Sequence, residues 1–465
     1  MMKVFKGIAA VFLMGNLLSV NVLAAPGPYV AKQQANNFSV EDVQRFTAAI
    51  NQIKQYYVED VDDQTLFENA IRGMLSGLDP HSSYLDIEDF SELKSHTSGE
   101  FGGLGIEITS EDGYIKIVSP IDDTPAAKSH LKPGDMIVKI DNVPVKDLSL
   151  SEAVGKMRGP QGTDVTLTIY RKSEQKVFNQ KLTREIIHVQ SVKNRLLEDG
   201  YGYIRISQFQ LPTVKELNQA IMSLKAANKN KPLNGLVLDL RNNPGGLLDS
   251  AIEVSDAFLD SNQLKDDGLI VYTKGRIQGS KFEAHATPGD LINGAPIVVL
   301  INSGSASGSE IVAGALQDHA RAVIMGTSSF GKGSVQTVLP LDDERGLKLT
   351  TALYYTPNGT SIQAKGIKPD VYVEIMDVKK FDQEDMLSFV TVKEADFDNH
   401  LDNGSASDDK STEPSSKASS TSGQNVATQK KEVEQPLAVT DFQLYEALNL
   451  LKGLNVVSKS RVAAS

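Results

Sequence analysis

The segment from residue 295 to residue 327 fixes more of the architecture than any other stretch of this chain. Residues 295–301 (APIVVLI) are an apolar, β-branched run, and residues 302–309 (NSGSASGS) are almost all small. Residues 310–317 carry apolar side chains at helical spacing, and residues 321–327 (RAVIMGT) turn apolar again. An apolar run bounded by turn residues reads as a buried strand, and the strand–helix–strand order implies a parallel pair. A helix of about eleven residues travels roughly 17 Å at 1.5 Å per residue, and the next strand returns about 23 Å at 3.3 Å per residue. The small-residue turn and residues 330–336 (FGKGSVQ) therefore meet at the C-terminal edge of the sheet, where α/β proteins build their sites.

Ser307 falls where strand hands over to helix, a position with free backbone N–H groups and a positive dipole end. Lys332 follows it by 25 positions. A serine hydroxyl is a weak nucleophile and needs a base. Lysine serves only if its pKa falls from about 10.4 to about 7 or 8, which disfavours the ammonium by about 4 kcal/mol. Burial among small residues such as Gly331 and Gly333, beside a positive helix end, pushes that way. Gln336 is placed to accept from or orient the amine. A lone serine in such a turn reads as a helix cap, whereas the paired lysine points to a Ser/Lys hydrolase.

Other chemistries fit less well. His319, at the far end of the same helix, lies about 18 Å from Ser307, beyond proton-transfer reach. His81, His96, His130, His188, His285 and His400 stand outside any nucleophile motif and read as structural or exposed. They form no metal-ligand cluster, so neither a metal nor a cofactor is called for. Residues 326–332 (GTSSFGK) match a phosphate-binding P-loop up to its last letter, but Gly333 stands where Ser or Thr is needed. Residues 335–339 then read as strand where a helix is required.

A tetrahedral intermediate needs an oxyanion hole, usually two backbone donors in a preorganised turn. Residues 235–241 read as a buried strand, 242–246 (NNPGG) as the turn after it and 247–254 as a helix. The N–H groups of Gly245 and Gly308 are the candidate donors, and an ordinary strand-to-helix turn is the plainer alternative for 242–246.

At this point the chain resembles the C-terminal processing peptidases, the tail-specific serine proteases of peptidase family S41. The residues that carry the resemblance are GSASGSE at 304–310, FGKGSVQ at 330–336, DLRNNPGG at 239–246, YYTPNG at 354–359, GIKPD at 366–370 and GLDPHSSY at 77–84. The match spans roughly residues 40–375. It implies an α/β (α+β multidomain) fold, with a ClpP/crotonase-like protease core, an inserted PDZ domain and an N-terminal helical segment. It also implies Ser307 as nucleophile, Lys332 as general base, Gln336 as the residue holding the lysine, and Gly245 with Gly308 at the oxyanion hole. Gly308 departs from the alanine expected there, which leaves a backbone donor intact but loosens the helix start.

Upstream, GGLGI at 102–106 precedes β-like runs at 114–118, 135–140 and 165–170, with an amphipathic helical stretch at 150–157. Gly103, Leu104, Gly105 and Ile106 resemble the carboxylate-binding loop of a PDZ domain. Unpaired N–H groups in such a loop form an anion nest, and a free strand edge accepts an extended peptide, so a protein C-terminus satisfies both. Pro125 at the start of a short helix, LKPGDMI at 131–137 and RGPQGT at 158–163 follow in PDZ-like order. For Arg158 the resemblance implies coupling of peptide occupancy to the protease site, while an exposed loop cation is the plainer reading.

The chain has 465 residues, a net charge of −12 and no cysteine, which permits several domains, excludes thiolate chemistry and argues against nucleic acid. Lys3 and Lys6 flank an apolar run at 8–20, and VLAA at 22–25 offers a cleavage site. Residues 1–25 are expected to be a signal peptide, and the protein to be exported, most simply to a periplasm, with at most peripheral membrane contact. Residues 26–97 form a helical region that either packs two subunits or caps the core. The PDZ domain is expected at 98–186 and the protease core at 187–395. Residues 396–436, poor in apolar side chains, read as a disordered linker, and 437–465 as a docking helix and tail.

The resulting expectation is an exported serine endopeptidase that engages protein substrates by their C-termini and cleaves them through an acyl-enzyme on Ser307. An adaptor protein, a homodimer or higher oligomer, and a resting state with the dyad out of line fit the domain order. The alternatives are a non-catalytic PDZ scaffold, for which an intact Ser307 and Lys332 would have no use, and hydrolysis of a small ester or peptidoglycan amide, which leaves the peptide-binding domain unexplained.

Overall fold

The computed structural model describes residues 39–376, save 112, 265, 278 and 279, and residues 436–464. The expected signal peptide lies outside the described residues, as do residues 377–435, which hold nearly all of the expected linker. The chain divides into two compact units at residues 73 and 74. In the first, the helix Val40–Tyr56 opens on Ser39, whose hydroxyl accepts from the Asp42 N–H, and Lys54 pairs with Asp63 at the start of the helix Asp63–Ser76.

A six-stranded sheet centres the second unit. Its order is Val192–Glu198, Tyr201–Ile206, Gly235–Asp239, Ile297–Ile301, Ala322–Gly326 and Val371–Tyr372, antiparallel at the first pair and parallel thereafter. Leu236, Leu238, Ile297, Val299 and Ile301 pack with the helices Thr213–Ala227, Leu248–Asp256 and Gly308–Asp318. Val237, Val298 and Leu300 pack instead with Leu444, Ala447, Leu448 and Leu451 of the C-terminal helix Phe442–Ala464. This two-sided burial is why the strand Ile297–Ile301 is apolar at every position.

Asp441 fastens that helix by accepting from both terminal nitrogens of Arg241, at 2.9 and 2.7 Å. Arg241 in turn grips the buried Asp239 at the end of its own strand.

A second, antiparallel sheet is built on the long strand Gly346–Tyr355. It pairs with Ser83–Leu85, Leu269–Gly275 and Ser334–Pro340. The strand Ser334–Pro340 is the one that residues 335–339 imply, and it begins two residues after Lys332.

Residues 106–183 form a module with its own five-strand path, Ile106–Glu111, Tyr114–Pro120, Met136–Ile140, Asp164–Arg171 and Lys176–Thr183, around its own apolar core. The helix Leu150–Met157 starts on a capping box of Ser149 and Glu152. A two-stranded ribbon, Glu100–Gly103 with Glu185–His188, brackets the module. Where a short helix was expected after Pro125, there is only a turn, with Lys128 N–H on Thr124 O and Ser129 N–H on Ala126 O. Thr124 Oγ1 accepts from the Ala127 N–H and Ser129 Oγ donates to Ala126 O, so local side-chain bonds compete with helix formation there.

Candidate active site

Two turns at the C-terminal ends of adjacent parallel strands are laced together by side chains. Asn302 Oδ1 accepts from Asn242 N–H and Gly304 N–H, and Asn302 Nδ2 donates to Asn242 Oδ1. Ser305 Oγ donates to Leu240 O, and both Ala306 N–H and Ser309 Oγ donate to Asn243 O. The lacing holds Ser307 at φ 52° and ψ −111°, a conformation a non-glycine residue rarely adopts, at a cost of about 1–3 kcal/mol.

Gly245 lies against this turn. A Cβ there would stand 2.7 Å from Ser307 Cβ and 2.9 Å from Gly308 N, at φ 104°. Only glycine fits. The Gly308 N–H has no acceptor among the described residues, whereas the Gly245 N–H donates to Asn243 Oδ1 at 2.9 Å. Of the two candidate oxyanion donors, one is open and one is engaged. Gly308 also has a packing reason to lack a side chain, since a Cβ would stand 2.9 Å from the Phe209 ring and 3.1 Å from Ala251 Cβ.

Lys332 lines the same cleft as Ser307, a cavity of about 560 Å³. It is half-buried, and burial pushes its ammonium below the ordinary lysine range. The charge of Lys348 adds to that depression, and the carboxylate of Glu310 opposes it. Gly331, at φ 94°, and Gly333, whose Cβ would stand 2.6 Å from Gln363 N, let the backbone turn tightly around the lysine. Gln336 also lines the cleft, but its amide nitrogen donates to Ser334 Oγ at 3.0 Å and Thr350 Oγ1 at 3.3 Å. Thr350 Oγ1 in turn donates to Asp79, so the 77–84 motif reaches the cleft through Thr350.

Several groups in the site carried no role in the sequence. Glu310 is fully buried and accepts from four donors, one at Ser307 and three on residues 329–332. The pattern that could have found it is the serine three residues before a glutamate at a helix start. Tyr354 is buried and donates to Lys332 O, and burial with the nearby Glu310 charge pushes its phenol well up. His81, read from sequence as structural or exposed, lines the cleft, and burial with the Lys332 charge lowers its pKa. Among the described residues lining the cleft, Lys94, Lys332, Lys348, His81 and His96 are basic and none is acidic. No group of three His, Asp or Glu among the described residues could hold a metal.

At the module's first strand, Leu104 is buried in the core and Gly105 adopts φ 73°, where a Cβ would stand 2.2 Å from Thr124 Cβ. Leu104 O accepts from Ala126 N–H and Gly105 O from Ile121 N–H, while the Leu104 and Gly105 N–H groups have no acceptor among the described residues. Ile106 then opens the strand Ile106–Glu111, which lies at the edge of its sheet. Arg158, the C-cap of the helix Leu150–Met157, is not an exposed loop cation. It is half-buried with its guanidinium 4.7 Å from the centre of the Phe101 ring.

Residues 200–373 match the family model for peptidase family S41, residues 102–182 that for the PDZ domain, and residues 7–89 that for the activating protease CtpB N-terminal domain. The chain is 48% identical over 397 residues to a carboxy-terminal-processing protease of Bartonella bacilliformis, covering 85% of this chain and 88% of the relative. It is 38% identical over 337 residues to the carboxy-terminal processing protease CtpA of Bacillus subtilis, covering 72% of this chain and 70% of the relative. Among solved structures, the photosystem II D1 C-terminal processing protease aligns at 30% identity with a TM-score of 0.42, over 71% of this chain and 86% of that one. The chain belongs to peptidase family S41, and within it to the PDZ-bearing carboxy-terminal processing serine proteases.

Proposed function

We propose that this protease cleaves with Ser307 as nucleophile and Lys332 as its base, on substrates held by their C-termini. The observation that carries the reading is the placement of Ser307, strained at a helix N-terminus, in one cleft with a half-buried lysine whose ammonium is disfavoured. Neutral Lys332 Nζ takes the Ser307 hydroxyl proton as Oγ bonds to the scissile carbonyl carbon. The oxyanion is met by the free Gly308 N–H, joined by Gly245 once its N–H leaves Asn243. The protonated lysine then gives its proton to the departing amine as the C–N bond breaks; water, losing a proton to Lys332, attacks the acyl carbon, and that proton passes to Ser307 Oγ as the ester bond breaks and the acid leaves.

The free N–H groups at Leu104 and Gly105 and the adjoining strand edge suit a terminal carboxylate and an extended chain. The engaged Gly245 N–H and the Gln336 amide turned to Thr350 fit a resting state that peptide or an adaptor realigns, after which Gln336 holds the lysine. Arg158, stacked on Phe101 beside the carboxylate loop, is placed to sense occupancy. Export through the segment at 1–25 to a periplasm, and self-association through the N-terminal helices, complete the reading.

Purified residues 26–465 should digest an unfolded protein into fragments seen by mass spectrometry, and Ser307→Ala and Lys332→Ala should yield none. Equal digestion by either variant would overturn the dyad.

A further inference from the structure

Glu310 belongs to neither member of the proposed dyad, yet it is a fully buried group that joins them. Its Oε2 accepts from the Ser307 N–H at 2.8 Å and the Lys332 N–H at 2.9 Å, and its Oε1 from the Gly331 N–H at 2.6 Å and Ser329 Oγ at 2.5 Å. Ser307 lies on the turn before the helix Gly308–Asp318, and Lys332 lies after the next strand, so one carboxylate ties two segments otherwise 25 positions apart. All four neighbours are donors, which fits an acceptor-only anion. A helix cap alone would need only the bond to Ser307; the other three bonds go to the lysine's turn.

Resting on the dyad reading above, we infer that Glu310 is a positioning residue of the reaction, holding the Ser307 and Lys332 backbones in register and biasing the charge state of the lysine. The charged and titratable groups around Lys332 are Glu310 from the helix Gly308–Asp318, Lys348 and Tyr354 from the strand Gly346–Tyr355, and His81 from the turn before the strand Ser83–Leu85. Lys94 and His96 on the helix Ile87–Ser98 line the same cleft. Of these, Glu310 opposes the depression of the lysine, and Lys348 reinforces it.

Glutamine tests both halves. An amide has one acceptor oxygen, so in either flip its NH₂ faces donors and at least one backbone N–H loses its acceptor. With the negative charge gone, Lys332 deprotonates more readily. Glu310→Gln should therefore lower kcat by about 100-fold, as an ångström of misplacement does, with KM within about threefold. The acid limb of its kcat/KM profile should move to lower pH. Glu310→Asp keeps the charge but is one methylene too short to reach both turns, so it should lose kcat while leaving the acid limb in place. It also carries the test if the glutamine variant does not fold. Wild-type kcat in Glu310→Asp, or in a folded Glu310→Gln, would overturn the inference, and so would identical acid limbs in two folded variants. Activity in Ser307→Ala or Lys332→Ala would sink the dyad itself, a separate failure.

Discussion

Replacing Gly245 with alanine should damage catalysis far more than its size suggests. The added Cβ would stand 2.7 Å from Ser307 Cβ and 2.9 Å from Gly308 N. Carbon atoms in contact rest at about 3.5 Å or more, so Ser307 must retreat by about 0.8 Å. The positive φ of 104° adds about 1–3 kcal/mol of backbone strain and overpacking about 1–3 kcal/mol more, for a total of about 2–6 kcal/mol. A misplacement near an ångström costs about 100-fold in rate. Gly294→Ala is the matched control, because its φ of 76° is also positive but nothing lies within 4 Å of its Cβ. It should pay the strain and keep kcat. Urea unfolding and steady-state kinetics on the three proteins would check this. If Gly245→Ala were no less stable than Gly294→Ala and kept kcat within about threefold, the close approach to Ser307 would not be what reserves the position for glycine.

Two further outcomes follow from the same geometry. On the proposed dyad, activity needs neutral Lys332 and is lost as pH falls through its pKa; Lys348 helps hold that pKa down, so Lys348→Met should move the acid limb of kcat/KM to higher pH, opposite to Glu310→Gln. Leu451 of the C-terminal helix is fully buried against the central sheet, and Leu451→Ala should cost about 2–5 kcal/mol in urea unfolding. A loss under about 0.5 kcal/mol would mean that the helix contributes little to the core.

Local pattern made part of this molecule legible and long-range contact hid the rest. The run at 295–301 shows its strand because every side chain is apolar, and the helix Leu150–Met157 shows itself through spacing and its capping pair. Strand and helix lengths bring Ser307 and the turn that holds Lys332 to one edge of the sheet, since the helix Gly308–Asp318 and the strand Ala322–Gly326 between them are regular. The Glu310 contacts could not be read that way, because three of its four donors sit 19 to 22 positions away on a turn whose path no propensity fixes. His81 enters the cleft through a strand paired with residues more than 260 positions later, and a lone histidine carries no trace of that pairing. The docking of the C-terminal helix was readable from its apolar face, but its anchor was not: Asp441 finds Arg241 200 positions away. Gly308 looked like a loosened helix start, and only the Phe209 ring beside it explains the missing methyl.

The most direct measurement is peptide mass spectrometry after reaction with a fluorophosphonate, which phosphonylates an activated serine hydroxyl with loss of fluoride. A single adduct on Ser307 is expected, forming faster as pH rises through the depressed Lys332 pKa and at least about 100-fold more slowly in Lys332→Ala. An adduct on another serine, or an equal rate at Ser307 without Lys332, would contradict the assignment of the dyad.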